Sequence, residues 1–303
     1  MRLAICGILI LLMCLLAPSA PIDAGDAPPS PADQLRTLKK EYGEMSRRFR
    51  QATTDEERKA AVESLDRFAP RFVELAERYP QDLVAVDASV ELVRAINAVD
   101  SLVQTSWETN RGSFPTARKD NTAARAVALL LQRHPRSDKL GPVCERMAYG
   151  IRKDFETFLR AVVKENPHRD VRGLAGLSLA EILKGRVQKL DLIRDRTELV
   201  PLYEELFGKS YFEELRQQGR PAIAGEVEAL FERAITEYGD VKLPYGQTVG
   251  ERAKEELLEI RDLAAGSQAP DTEGADQDGR RFKLSDCRGK VVLLDFWQEL
   301  CLT

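Results

Sequence analysis

At 303 residues, 43% apolar and 31% charged, the chain has material for two domains, since single domains usually run about 100–200 residues. Its 45 Lys and Arg stand against 49 Asp and Glu for a net charge of −4, and the charges are mixed along the chain, so it lacks the basic footprint of a nucleic-acid binder. Two histidines with no Cys-Cys-His spacing argue against a zinc site, there is no glycine-rich phosphate loop or Ser-His-Asp arrangement, and no cofactor is expected.

Arg2, an apolar run over residues 3–16 and the small residues Ala17, Ser19 and Ala20 follow the order of a signal peptide. The run falls short of the roughly 20 apolar residues that a resident membrane helix needs. We therefore expect cleavage after residue 20 and an exported protein, periplasmic or held in the cell envelope, with secretion as an alternative. An uncleaved N-terminal anchor is the second reading, because Pro21 would follow the cut, and it is the only route to a membrane that the sequence offers. Cys14 follows Leu11-Leu12-Met13 and so lacks the small residue that a lipoprotein signal carries before its cysteine. Cleavage would leave Cys144, Cys287 and Cys301, an odd number that does not suit a disulfide-built scaffold and leaves a thiol to react.

Residues 21–30 read as a solvated spacer. Ser30 before Pro31 is an N-cap with proline at the first helical position, and Leu35, Leu38, Tyr42, Met45 and Phe49 then recur at helical spacing. Thr54 with Glu57 forms a capping box ahead of Ala61, Leu65, Phe68, Phe72 and Leu75, a run that Pro70 should kink or split. Helix after helix is expected up to about residue 263, with breaks at Pro80, 112–115, Pro135, Pro167 and Gly239. Three breaks look alike: Arg78-Tyr79-Pro80, Arg133-His134-Pro135 and Glu165-Asn166-Pro167. Pro135 and Pro167 lie 32 positions apart, close to the roughly 34-residue period of tetratricopeptide-type hairpins, whereas Pro80 and Pro135 lie 55 apart. The expectation is an all-α domain over 31–265, a degenerate array of helical hairpins able to dock a protein partner. Cys144, beside Val143 and Met147, reads as core filler, and pairs such as Glu213-Glu214 and Glu255-Glu256 as solvated helix faces. Trp107 reads as a tertiary contact under a loop.

After the loop 240–246 and one more helix, the period changes from about 3.6 to 2. Residues 272–275 and 281–284 flank Asp278-Gly279, a hairpin signal with Phe282 and Leu284 on one face. Gly289-Lys290 then introduces the apolar run 291–297, of the kind found in a buried central strand. Cys287, ahead of it, is expected to be a half-buried small side chain.

The string SQAPDTEGADQDGRRFKLSDCRGKVVLLDFWQELC resembles the opening of thioredoxin-like redoxins, the TlpA-like and peroxiredoxin-related (alkyl hydroperoxide reductase and thiol-specific antioxidant) group. The pieces that match are Ala269-Pro270-Asp271, the Asp278-Gly279 turn, the string from Phe282 to Asp286, Arg288-Gly289-Lys290, and the run leading through Phe296-Trp297 to Cys301. The resemblance covers residues 267–303 and implies the first hairpin and central strand of an incomplete thioredoxin-like α/β domain. It implies Cys301 as the nucleophile, at the start of a helix whose unpaired N–H groups lower a thiol pKa, and Asp295 as the proton acceptor behind it. Its partners would be protein thiols and disulfides. Leu300 replaces the family's tryptophan, Leu302-Thr303 replaces Gly-Pro, and the sequence stops before the position of the resolving cysteine, so the redox site is expected to be incomplete as written. Three activities follow in order: an exported thiol-disulfide oxidoreductase; a non-enzymatic helical binding protein with a vestigial redoxin segment; and a thiol peroxidase, whose Pro-x-x-x-Thr/Ser-x-x-Cys setting is missing around Gln298-Glu299-Leu300.

Overall fold

A computed structural model describes residues 28–108, 121–263, 266–276 and 278–294. The signal segment, the break at 112–115 and the stretch 295–303 lie outside the described residues, and so does the side chain of Trp107.

The chain is mainly helical and closes with a small antiparallel hairpin. Helix α1 (Pro31–Gln51) starts where Ser30 Oγ accepts the Asp33 N–H with Pro31 in the first turn, and it buries Leu35, Leu38 and Tyr42. The Thr54–Glu57 capping box opens α2 (Asp55–Asp66). The split expected around Pro70 falls at Arg67, and Pro70 sits in the first turn of α3 (Phe68–Arg78), where a missing N–H costs no helical hydrogen bond. Tyr42 meets Phe68 and Phe72 edge to face, with centroids 5.4 and 6.0 Å apart. Then come α4 (Leu83–Glu108), α5 (Thr122–Arg133), α6 (Gly141–Met147), α7 (Lys153–Glu165), α8 (Arg169–Asp195), α9 (Val200–Phe207), α10 (Lys209–Gln218), α11 (Arg220–Tyr238) and α12 (Val249–Arg261).

Consecutive helices pack as hairpins in α3/α4, α7/α8 and α11/α12, while α3, α5 and α7 pack side by side in one row and α4, α6 and α8 in another. The similar proline breaks stack along one edge of these rows. Tyr79 Oη accepts from Gln34 Nε2 at 2.8 Å. His134 Nε2 donates to the Pro80 carbonyl at 2.9 Å, and Asn166 Nδ2 donates to the carbonyls of Pro135 and Ser137, both at 3.0 Å. Arg169 then reaches the carbonyl of Glu237 at 2.7 Å and the carboxylate of Asp240. In the two middle steps, the residue before each proline is a donor that satisfies backbone acceptors left open at the previous helix end.

One continuous apolar core runs from Leu35 to Leu257. Helix α8 is its axis, buried on every side between Gly173 and Leu183, and it contacts α6, α7, α11 and α12. Where α11 meets α12, a Cβ on Gly250 would lie 2.7 Å from the Gly239 Cα, so only glycine allows the two backbones to approach this closely.

Beyond α12, β1 (Glu273–Ala275) pairs antiparallel with β2 (Arg281–Lys283) in the register Gly274 opposite Phe282. Asp276 Oδ1 accepts the N–H groups of Asp278 and Arg280, and Gly279 takes φ +79°, a left-handed conformation suited to glycine. The expected central strand does not form over 291–294. Among the described residues they pair with nothing, and Val291 and Leu293 are 102% and 92% exposed. The two-stranded sheet is the only sheet among the described residues, and it supplies no layer for such a strand to pack beneath.

Candidate functional site

The two residues that the resemblance nominates, Cys301 and Asp295, lie outside the described residues, as do Phe296 and Trp297. What the structure does describe is the platform before them. Asp271 grips Ser285 through both oxygens: Oδ1 accepts the backbone N–H at 2.8 Å and Oδ2 the hydroxyl at 2.9 Å. Leu284 N donates to Thr272 O at 2.9 Å, and Asp286 Oδ2 accepts Lys283 N at 2.8 Å to start the short 3-10 turn Leu284–Cys287. Ser285 holds the Asp271 carboxyl below the usual carboxylate range through these bonds. The Phe282 ring covers Gly274 across the hairpin, so Asp271, the turn at 278–279 and residues 282–286 form one local unit.

Cys287 ends that 3-10 turn, part-exposed and without a disulfide partner among the described residues. Cys144 is fully buried in α6 with Val143 and Met147; burial pushes its thiol far above the ordinary cysteine range, so it does not act as a nucleophile at neutral pH. His134 and His168 both face loop carbonyls, of Pro80 and Arg136. Among the described residues no three His, Cys, Asp or Glu side chains converge as a metal site would require, and no helix is long and apolar enough to cross a membrane.

Among the clefts that open between the described helices, two are lined by α8 and carry buried or part-buried charges. The first, about 340 Å³, lies between α6, α8, the loop before α12 and α12 itself, and its walls carry Glu145, Arg146, Glu181 and Arg252. Burial pushes the carboxyls of Glu145 and Glu181 up, and each is also raised by a neighbouring acid: Glu145 by Glu181, and Glu181 by Glu256. Arg252 opposes the shift at Glu181, with Nε 3.0 Å from Oε1. Behind it Glu256, 6% exposed, is held by Lys184 at 2.6 Å and Arg252 at 2.7 Å. This corrects the reading of Glu255-Glu256 as a solvated face: the second glutamate points inward because α8 offers it a lysine. Glu214 of the other pair does sit at the surface, on Lys153. The second cleft, about 270 Å³, lies between α4, the turn 148–151 and α8, and it carries Arg186. No sequence motif pointed to Glu145, Glu181, Arg186 or Arg252, because they come from separate helices and meet only through packing.

Compared with known proteins, the chain matches no family model, no curated protein and no solved structure.

Proposed function

We propose that the chain is an exported thiol-disulfide oxidoreductase of the redoxin type, in which the helical rows dock a protein partner and Cys301 opens the exchange. The observation that supports this reading is the hairpin: Asp271 and Ser285 are fourteen positions apart and are joined by two hydrogen bonds, within the string on which the redoxin resemblance rests. The chemistry is thiolate attack. Asp295 accepts the Cys301 proton, the thiolate sulfur bonds to one sulfur of a disulfide, the S–S bond breaks, and the leaving thiolate is protonated from solvent. A second thiol, from the substrate or a reductant, then releases Cys301 by the same displacement.

A helical binding protein with a vestigial redoxin hairpin is the second reading, and the stacked helix ends and open clefts favour it. Oxidised glutathione separates the two. On the redoxin reading the intact chain gains a glutathione mixed disulfide on Cys301 well before Cys287, with a rate whose pH midpoint lies below the ordinary cysteine value of about 8.5. Cys301→Ser abolishes that adduct and Asp295→Asn slows it roughly tenfold, a typical scale for losing a positioned proton acceptor. If peptide mapping finds Cys301 no faster than Cys287, the binding-protein reading replaces the first.

A further inference from the structure

The buried carboxylates among the described residues, Glu91, Asp100 and Glu256, each have a cation in reach. Glu91 faces Lys39 at 2.8 Å, Asp100 is held at both oxygens by Arg152 at 2.7 and 2.8 Å, and Glu256 has Lys184 and Arg252. Glu145 differs. It stands part-buried on the wall of the cleft between α6, α8 and α12, and among the described residues its carboxylate makes no hydrogen bond or ion pair. Arg146, next to it in the chain, acts on it only through space and is itself exposed to water. A second orphan lies on the same wall. Ser178 of α8 is 2% exposed, and its Oγ has no hydrogen-bond partner among the described residues. Ser89 on α4, just as deeply buried, shows the ordinary solution, its Oγ donating to the Ala85 carbonyl at 2.7 Å. One turn beyond Ser178, Glu181 accepts from Arg252 through Oε1 alone, which leaves Oε2 open.

Buried hydroxyls are rarely left unbonded, and a desolvated carboxylate without a counter-ion is costly. A trapped water would give Ser178 a partner but would not balance Glu145. The cleft's own cations do not serve either: Arg252 is taken by Glu181 and by Glu256 at 2.7 Å, and Arg146 is turned to solvent. Two carboxylates and a hydroxyl do not make a metal's ligand set among the described residues. They do offer three acceptors, and an alkylammonium carries three donors and one positive charge. Leu174, Leu177 and Leu243 on the same walls add apolar surface of the kind that methylenes cover. We propose that this cleft binds a primary alkylammonium group, with its N–H donors on Glu145, Glu181 Oε2 and Ser178 Oγ and its methylenes against the three leucines. The site is separate from Cys301 and does not depend on the redox reading.

Calorimetric titration of the full chain at pH 7 and low salt tests it, with n-butylammonium chloride, Nα-acetyl-lysine N-methylamide and, as the neutral control, n-butanol. Saturable binding of one equivalent of at least one amine is expected, and none of the alcohol. The tighter amine tells a free small molecule from the lysine side chain of a protein partner as the source of the group. Glu145→Gln should weaken binding roughly tenfold or more, and Ser178→Ala about fivefold, the scale of one lost hydrogen bond. Both variants keep the fold, because neither side chain is bonded to another part of the described chain, and unchanged melting below pH 4 would verify this. Absence of saturable binding up to about 10 mM of both amines, an affinity too weak for a built site, overturns the proposal. So does butanol binding as tightly as butylammonium, or amine binding that either variant leaves unchanged.

Discussion

Asn166 makes three hydrogen bonds from a side chain that is 2% exposed: two donated to the carbonyls of Pro135 and Ser137, and one accepted from the His168 N–H. Asn166→Ala would remove three part-buried hydrogen bonds, and at about 0.5–1 kcal/mol for each the loss is roughly 1–3 kcal/mol. Urea denaturation should show it as a lower midpoint with an unchanged m-value. Glu145 makes the opposite case. Burial raises its carboxyl in the folded state above the unfolded value, so the ionised form is penalised on folding: stability is full below the unfolded pKa and falls as pH rises through the folded one. Glu145→Gln should therefore raise the thermal midpoint at pH 7 and leave it unchanged near pH 3.5, which a pair of melting curves would decide.

At the scale of elements, the helix starts were legible because a cap is local chemistry. Ser30, Thr54 and Thr248 each accept the N–H three residues on, and Thr54→Ala or Thr248→Ala should cost about 1 kcal/mol. The helix stops were legible too: α3, α5 and α7 each end two positions ahead of Pro80, Pro135 and Pro167. The turn that lets α12 fold back on α11 is a matter of contact, not propensity. Gly250→Ala would drive a methyl group into the Gly239 backbone and should cost roughly 1–3 kcal/mol as overpacking, measurable in the same urea experiment. Residues 291–294 pair with no strand among the described residues; an apolar stretch becomes a buried strand only where neighbouring strands and a covering layer surround it.

At the scale of the whole molecule, apolar burial among the described residues is concentrated before residue 261. The core ends at Leu257, with Ile260 packed against it, while Phe282 and residues 291–294 are exposed. A chain ending at residue 265 should therefore melt within about 2 °C of the full chain, a shift worth under 1 kcal/mol in a domain of this size; a larger drop would mean that the hairpin docks on the helices. What the amino-acid sequence determined by itself was everything set by neighbours along the chain: capped helices, proline breaks and the Asp-Gly hairpin. Only the tertiary structure decided which of those breaks stack, through His134 and Asn166 reaching the previous loop, and which charges end up buried together. Glu181 with Arg252 and the lone guanidinium of Arg186 result from helices distant in sequence closing on one another, and their energies depend on desolvation, which no local pattern encodes.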